Sequence, residues 1–192
     1  MDLALKSLEA LHAESRPEVS SEVRFRRIFD AHYTFIWRTL RRLGVTADVV
    51  DDATQEAFMI AARRIADIQL GREKAFLFGV ARRLAARARA RSAMHAEVLS
   101  DSCPDLGART PEDLLIQRDA HELLDEVLSQ MSDDTREALV LFEIEGLSKR
   151  EVADLLALPE GTAASRLRRA REEFLTIAHR EKARRVGEWG TR

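Results

Sequence analysis

Apolar and polar residues follow one another along most of this chain with the period of an α-helix. Between about residue 22 and Gly44, the apolar positions that indicate one buried helix face are Ile28, Phe29, Ile36 and Leu40. A second helix is predicted from Ala47 to about Ile65 and a third from Arg72 to about Arg91, with a loop at 67–71 between them. Residues 1–20 predict only a weak amphipathic helix that breaks at Pro17, and no function is assigned to this segment.

The apolar pattern resumes after residues 100–110, which contain Asp, Ser, Pro and Gly without periodicity and are predicted to be a linker. Thr110 can cap the next helix, with Pro111 at its first position and acidic residues following. Ser132 is predicted to cap a further helix that ends near Gly146. The apolar positions of these two helices are Leu114, Leu123, Leu124, Val127, Leu128, Ala138, Leu139, Leu141 and Phe142. Since no alternating strand pattern competes, the fold class is predicted to be all-α.

The stretch from Glu145 to Phe174 has the pattern of a helix-turn-helix. Ser148 and Glu151 are spaced as a capping box that begins a short helix, and residues 157–159 form the turn, with Pro159 at the first position of the next helix. In that second helix the inward positions recur every three or four residues, at Ala163, Leu167, Ala170 and Phe174. The outward positions carry Thr162, Ser165 and three arginines, which suit a recognition helix because such side chains can enter the major groove and bind guanine or phosphate.

Charge is segregated along the chain although its net value is only -2. The first basic stretch comprises Arg72, Lys74, Arg82, Arg83, Arg87, Arg89 and Arg91. Acidic residues dominate from Glu97 to Glu145, and a second basic stretch comprises Arg166, Arg168, Arg169 and Arg171. Two basic stretches separated by an acidic one suit a protein that contacts DNA at two places, and the alternative is that they are solvated helix faces.

Several other classes of protein are disfavoured by the sequence. Cys103 is the only cysteine, so an intrachain disulfide or a multi-cysteine zinc site is excluded, and this linker residue is interpreted as incidental. The longest apolar run is too short to span a bilayer and no signal-peptide pattern is present, so a cytoplasmic protein without membrane insertion is expected. The five histidines show no zinc spacing, and no nucleophile elbow or phosphate loop accompanies them. We therefore expect no enzyme activity, no metal and no cofactor.

The C-terminal half resembles a known family. Residues 128–171, with the segments Glu145-Gly146-Leu147-Ser148, Glu151-Val152-Ala153, Gly161-Thr162, Ser165-Arg166-Leu167 and Arg169-Ala170-Arg171, are similar to the C-terminal domain of extracytoplasmic-function sigma factors. That domain reads the minus-thirty-five promoter element. The resemblance implies contacts to this element from Lys149, Arg150, Thr162, Ser165, Arg166, Arg168 and Arg169.

The N-terminal half carries a second, independent resemblance to the same sigma factors. Residues 51–58 look like the family's helix that binds the polymerase clamp, which implies that core polymerase is bound by Asp51, Asp52, Gln55 and Glu56. Residues 76–82 look like its helix that reads the minus-ten element. The residues expected to contact DNA there are Arg72, Lys74, Arg82, Arg83, Arg87 and Arg91. The loop at 67–71 stands where the family captures an unstacked base, but it contains no aromatic side chain.

Four residues depart from the family's pattern. Phe76 stands where the family has Trp, and Arg83 stands where it has Asn, so a phosphate contact can replace a polar one. Ala163 and Ala164 replace a branched apolar residue and a basic one in the recognition helix. Promoter specificity therefore cannot be transferred from relatives.

The resemblance divides the chain into two small helical domains joined by a flexible linker. The expected boundaries are an extension at 1–20, a region 2 domain at 21–92, an acidic linker at 93–117, a region 4 domain at 118–182 and a tail at 183–192. The linker is either a nucleic-acid mimic in the polymerase or a simple tether.

The function implied is that of an RNA polymerase sigma factor that binds core polymerase, through its clamp coiled coil and flap, and promoter DNA. An anti-sigma factor is implied as a further partner, so that the chain is a monomer when free or a heterodimer with that inhibitor. The alternative is a helix-turn-helix transcription regulator that acts without polymerase.

Overall fold

The computed structural model of the protein describes residues 16–92 and 111–189, and the side chains of residues 21–91 and 120–185. These residues form seven α-helices with no strand, which confirms the predicted all-α class. The predicted linker at 100–110, its Cys103 and the segment before residue 16 lie outside the described residues. We call the helices before this gap the N-terminal half and those after it the C-terminal half.

The N-terminal half consists of α1 (Arg16–Arg42), α2 (Ala47–Arg63), a short 3₁₀ turn (Ile65–Asp67) and α3 (Glu73–Ser92). Pro17 lies in the first turn of α1, where its missing N–H has no helical partner to lose, and the weak helix predicted before it lies outside the described residues. Gly44 ends the α1 pattern with a φ of +90°, a conformation that glycine adopts without steric cost.

The three helices of the N-terminal half pack on each other through fully buried side chains. Ile36 and Leu40 come from α1, Val50 and Ala57 from α2 and Leu77 from α3. Phe58 of α2 is also buried. Arg24 crosses this half and donates to the carbonyl oxygens of residues 65 and 68, which ties the loop after α2 to α1.

The C-terminal half consists of α4 (Pro111–Gln130), α5 (Asp133–Leu139), a π-helical turn (Val140–Ile144), α6 (Lys149–Leu156) and α7 (Glu160–Trp189). The helix predicted to begin at Pro111 is confirmed, whereas α7 continues without interruption past the expected domain boundary at 182. Its own core is formed by Val127, Leu128, Met131, Leu139, Val140, Ala170 and Ile177.

The two halves share one apolar cluster, which extends the core of the N-terminal half and which sequence patterns did not predict. Leu141, Leu147, Val152 and Leu156 of the C-terminal half join the core of the N-terminal half instead of the cluster described above. The contact is made chiefly by α6, which packs against α3. The side chains at 139 and 141 therefore serve different cores, although they are only two positions apart.

Polar contacts surround this shared cluster. Arg38 of α1 forms a two-pronged pair with Glu145, at 3.2 and 2.7 Å. Arg42 contacts Asp125 at 2.6 Å, and Arg89 of α3 contacts Asp133 at 2.6 Å. In each pair the arginine belongs to the N-terminal half and the carboxylate to the C-terminal half.

Arg136 links the two halves through backbone atoms. It is almost fully buried, and its guanidinium donates to the carbonyl oxygens of Ser129 and Met131 in its own half. It also donates to the carbonyl oxygen of Leu43, which accepts a second bond from Arg89. Burial, together with the neighbouring charge of Arg89, lowers the pKa of Arg136.

Candidate nucleic-acid interface

The helix-turn-helix begins with the capping box that the sequence predicts. The Ser148 hydroxyl accepts from the Glu151 N–H at 3.3 Å, and the Glu151 carboxylate accepts from the Ser148 N–H at 2.8 Å. The Ser148 hydroxyl also donates to the Glu151 carboxylate at 2.7 Å, and this bond, together with the bond from the Ser148 N–H, lowers the pKa of Glu151. The capping box satisfies N–H groups that the start of a helix leaves unpaired.

The turn between α6 and α7 contains a feature that residue patterns do not reveal. Ala157 ends α6 with a φ of 53°, a left-handed conformation that favours glycine. The carbonyl of Pro159 accepts from the N–H groups of residues 162 and 163, so α7 begins at Glu160. The side chains of Ala163, Leu167 and Ala170 are buried as predicted.

The outward face of α7 presents most of the side chains expected to bind DNA. Thr162, Ser165 and Arg169 are exposed, and the Ser165 hydroxyl donates to the carbonyl oxygen of residue 162. Arg168 is exposed but contacts Glu172 on the next turn at 2.9 Å. Lys149 and Arg150, in the first turn of α6, are exposed as well.

Arg166 is placed differently from the other expected contacts on α7. Its side chain is largely buried and its guanidinium lies 3.2 Å from Asp134 at the start of α5. This pairing turns it toward its own domain instead of the face that carries Arg169, so its contribution to DNA binding would require that pair to open.

The basic residues on α3 and just before it fall into three groups. Arg72 and Arg83 are exposed, and Arg91 is also exposed at the far end of the helix. Arg87 lies 3.4 Å from Glu56 of α2. Two others contact residues of other helices. Lys74 lies over the ring of Phe35 in α1 at 4.4 Å, and Arg82 lies 3.5 Å from Glu137 of α5.

The loop between α2 and α3 exposes an apolar side chain. Leu70 is 83% exposed, and Gly71 follows it with a φ of +80°. The loop contains no aromatic residue that could stack on a base. Leu70 is solvated and, among the described residues, no atom beyond the chain neighbours of Gly71 lies within 4 Å of where a side chain at Gly71 would begin, so the surface of the loop is accessible to a partner.

The acidic face of α2 is ordered by contacts to its neighbours. The Trp37 indole N–H donates to Asp51 at 2.8 Å, whereas Asp52 and Gln55 are exposed. A groove of about 310 Å³ between α2 and α3 is lined by Asp48, Asp52, Glu56, Leu84 and Arg91, among others. The four residues expected to bind polymerase therefore lie on one helix, and two of them, Asp52 and Glu56, line a partly apolar groove.

A second groove lies in the C-terminal half and was missed by sequence reasoning. It has a volume of about 400 Å³ and an almost wholly apolar lining that includes Leu124, Leu139, Ile144, Phe174 and Leu175. Leu175 is 55% exposed. Arg171 and Glu143, which contact each other at 2.7 Å, stand at its rim.

Besides Glu151, two carboxylates of the C-terminal half have shifted pKa values. Burial raises the pKa of Glu137, and the nearby carboxylates of Asp133 and Asp134 act in the same direction. Hydrogen bonds from Arg184 and Gln130 lower the pKa of Glu181 to about 2. The first shift means that ionisation of Glu137 destabilises the folded state, and the second means that ionisation of Glu181 stabilises it.

Comparison with known proteins assigns the two halves to one family. A model for sigma-70 region 2 matches residues 28–94, and a model for sigma-70 region 4 matches residues 121–174. The ECF RNA polymerase sigma-E factor of Haemophilus influenzae is 28% identical over 141 residues, which cover 67% of this chain and 74% of that protein. The chain belongs to the extracytoplasmic-function group of the sigma-70 family. Its N-terminal half is region 2 and its C-terminal half is region 4, and this is a family of transcription initiation factors.

Other relatives agree with this assignment. The ECF RNA polymerase sigma-E factor of Escherichia coli K12 is 36% identical over 62 residues, about a third of either chain (32%). Two solved structures share the fold of this sigma factor, each at 21% identity and a TM-score of 0.59. CnrH in complex with the cytosolic domain of CnrY matches over 81% of this chain and 88% of its own. RpoE of Bartonella quintana in complex with the anti-sigma factor NepR matches over 80% and 96%.

Neither a membrane-spanning helix nor a metal-binding cluster is found in the part of the sigma factor that the structure describes. Across residues 16–92 and 111–189, none of the helices has the length and apolar composition needed to cross a bilayer. The same residues contain no group of three His, Cys, Asp or Glu side chains that could hold a metal ion.

Proposed function

We propose that this sigma factor binds core RNA polymerase and directs it to promoters by contacting DNA through both regions. The observation that carries the proposal is the combination, in one chain, of a capped helix-turn-helix, a basic helix in region 2 and an acidic helix beside that basic helix. A regulator that acts without polymerase would account for the helix-turn-helix but leaves the acidic face of α2 without a role.

The minus-thirty-five contact is assigned to region 4. The exposed side chains of Thr162, Ser165 and Arg169 lie on the first turns of α7, where a recognition helix enters the major groove. Arg168, Lys149 and Arg150 would bind phosphates and fix the register of the helix. Arg166 would join them only after release from Asp134.

The minus-ten contact is assigned to region 2. Arg72, Arg83, Arg87 and Arg91 would hold the phosphates beside the melted element, while Lys74 and Arg82 require displacement of their present neighbours. Exposed Leu70 and Gly71 leave room for an unstacked base at the loop, although without the stacking that an aromatic side chain supplies.

Two surfaces would bind polymerase itself. Asp51, Asp52, Gln55 and Glu56 would accept hydrogen bonds and salt bridges from a basic coiled coil of the clamp. The apolar groove at Leu124, Ile144 and Phe174 has the shape and lining to receive an amphipathic segment of the flap. We further propose an anti-sigma factor as a partner, a cytoplasmic location and no catalytic role, cofactor or metal.

The decisive experiment supplies the purified protein to sigma-free core polymerase on genomic DNA of the source organism and maps the 5′ ends of the transcripts. The expected result is a set of discrete starts that share two upstream motifs. Absence of specific starts, combined with binding of the free protein to duplex DNA, would instead support the polymerase-independent regulator.

The polymerase surface is tested by replacing Gln55 and Glu56 together with alanine. Core affinity should fall while helix content is retained, because both side chains are at the surface of α2 and alanine favours helix. Asp30→Ala removes an exposed carboxylate from α1 and serves as the control that leaves core affinity unchanged. Equal affinity of the double variant and the control would refute the clamp assignment.

A further inference from the structure

The loop between α2 and α3 ends in a tight turn at residues 69–72, which we call the Leu70 turn. The Arg72 N–H donates to the carbonyl oxygen of Gln69 at 3.1 Å and closes the turn. Gly71 occupies its third position with a φ of +80°, the conformation that a type II turn requires there. Leu70 occupies the second position and is 83% exposed. The turn therefore presents one apolar side chain to solvent from a defined backbone conformation.

Arg24 of α1 holds the segment that leads into the Leu70 turn. Its guanidinium donates to the carbonyl oxygen of Ile65 at 2.9 Å and to that of Ile68. These two carbonyls lie in and directly after the 3₁₀ turn, where the end of a helix leaves C=O groups without helical partners. The Ile68 side chain is buried in the core of region 2. The segment before the turn is therefore fixed both by apolar packing and by a charged donor from a distant helix.

Glu73, in the first turn of α3, connects Arg24 to the Leu70 turn itself. Its carboxylate accepts from the Arg24 guanidinium at 3.1 Å and also from the Gly71 N–H. Burial by itself would raise the pKa of the Glu73 carboxyl, but hydrogen bonds from its own N–H, from Arg24 and from Gly71 lower it overall. The two side chains are only 25% and 16% exposed. Charge-assisted bonds at such partly buried positions are short and directional, so they define where the turn lies.

Cations flank the Leu70 turn on both sides in the sequence. Arg72 follows it and is exposed. Arg64 precedes it with a side chain that is 57% exposed, and its guanidinium lies 3.1 Å from Asp67 and 5.6 Å from the centre of the Phe76 ring. Cationic side chains bind the phosphates of a nucleic-acid strand, whereas apolar side chains contact its bases. An apolar tip between two arginines therefore suits a nucleotide whose base has left the stack.

We propose that Arg24 and Glu73 are positioning residues for promoter reading, which hold the Leu70 turn in the conformation in which Leu70 contacts an unstacked base of the minus-ten element. Both residues act through the turn and neither touches DNA. A turn that is ordered before the base arrives loses less conformational entropy on binding, so its order increases the affinity for the correct base. The inference rests on the proposed function, because only a promoter supplies that base.

The order of the turn is tested in the full-length protein with Arg24→Met, which keeps an unbranched apolar side chain on α1 but has no N–H donor. The amides of residues 67 and 72 donate to carbonyl oxygens within the loop, and their hydrogen exchange should accelerate about tenfold. Arg24→Lys should accelerate it as well, because one ammonium group does not replace a planar guanidinium that reaches three oxygens. Arg27→Met changes an exposed arginine of the same helix and should leave exchange unchanged.

The effect on promoter reading is measured with the reconstituted holoenzyme on a promoter taken from the mapped transcription starts, with each base of the minus-ten element replaced in turn. Arg24→Met and Glu73→Ala should each reduce the discrimination of open-complex formation at one position of that element by about tenfold. Discrimination at the minus-thirty-five element and affinity for core polymerase should stay unchanged. A general loss of region 2 stability would instead lower core affinity and affect every position of the minus-ten element alike.

Leu70→Ala determines whether Arg24 acts through the turn. Because Leu70 is exposed, this variant should fold like the parent and lose discrimination at the same position. Arg24→Met combined with Leu70→Ala should discriminate no worse than the weaker single variant, since residues that act as one unit are not additive.

The outcomes separate this inference from the function on which it rests. Unchanged amide exchange in Arg24→Met, full discrimination despite a loosened turn, or additive effects of Arg24→Met and Leu70→Ala would overturn the positioning role while discrete transcription starts remain. A parent protein that gives no discrete starts would refute the proposed function, and the positioning role with it.

Discussion

Replacement of Leu141 by alanine should weaken the contact between the two regions as well as region 4 itself. The Leu141 side chain is fully buried and belongs to the cluster shared with region 2. Leu139, two positions earlier, is also buried but belongs to the cluster confined to region 4. Leu139→Ala is therefore a control with the same chemical change, in nearly the same place, on the other core.

The magnitude follows from the volume removed and the lack of space to collapse. A buried leucine replaced by alanine loses transfer free energy and leaves a cavity, and such changes cost about 2–5 kcal/mol. Both variants should lower the free energy of unfolding of region 4 within this range. Only Leu141→Ala should reduce the protection of α3, because its cavity lies in the cluster that covers that helix.

Native-state hydrogen exchange provides the measurement, since it reports local opening helix by helix. Amide exchange across residues 77–84 of α3 should accelerate at least about tenfold in Leu141→Ala, which corresponds to 1.4 kcal/mol or more. Leu139→Ala should leave these amides unchanged while it accelerates exchange in α5 and α7. Equal effects of the two variants on α3, or no effect of either, would refute the reasoning that the regions share a core.

Three further predictions concern backbone strain and pH. Ala157→Gly should raise the free energy of unfolding by about 0.5–1 kcal/mol in chemical denaturation, because the φ of 53° penalises a side chain; Ala86→Gly, on an exposed part of α3, should lower it by a similar amount. Glu137→Gln should raise the thermal midpoint at pH 7, since a raised pKa means that the ionised form is disfavoured in the folded protein; the gain should vanish as the pH falls below about 4.5. Glu181→Gln should lower stability at neutral pH and make stability less dependent on pH in acid. The reason is that a carboxyl with its pKa lowered to about 2 stabilises the folded protein above about pH 4.5 and loses that effect as the pH falls toward 2. A thermal midpoint for Glu137→Gln below that of the parent at pH 7, or an unaltered acid profile for Glu181→Gln, would contradict the assigned shifts.

Local signals in the sequence predicted the helix-turn-helix in detail. The Ser148–Glu151 capping box, the inward positions of α7 and the outward position of Arg169 depend on spacing within one helix or one turn. Spacing of this kind is a local property, so it can be read without knowledge of the rest of the chain. The same holds for α2 and α3, whose predicted limits differ from the observed ones by only one or two residues.

Features were missed where a residue carries no local signal, or where elements distant in sequence meet. Ala157 carried no signal for a left-handed conformation, because alanine adopts it only under the constraint of the helices on either side. The apolar groove at Phe174 was not foreseen, since its lining comes from α4, from α5 with the π-helical turn that follows it, and from α7, which are separate in sequence.

The sequence by itself determined the helices, the order of the two regions and the side chains that each helix could offer to DNA or polymerase. Only the tertiary structure decided which of those side chains are paired with other residues of the chain and which are exposed. Arg166 and Arg169 are both arginines on α7, yet one pairs with Asp134 and the other is exposed. The physical reason is that an apolar period specifies that a face is buried but not which partner buries it. Leu139 and Leu141 therefore read alike in the sequence, and the packing of α6 on α3 assigned them to different cores.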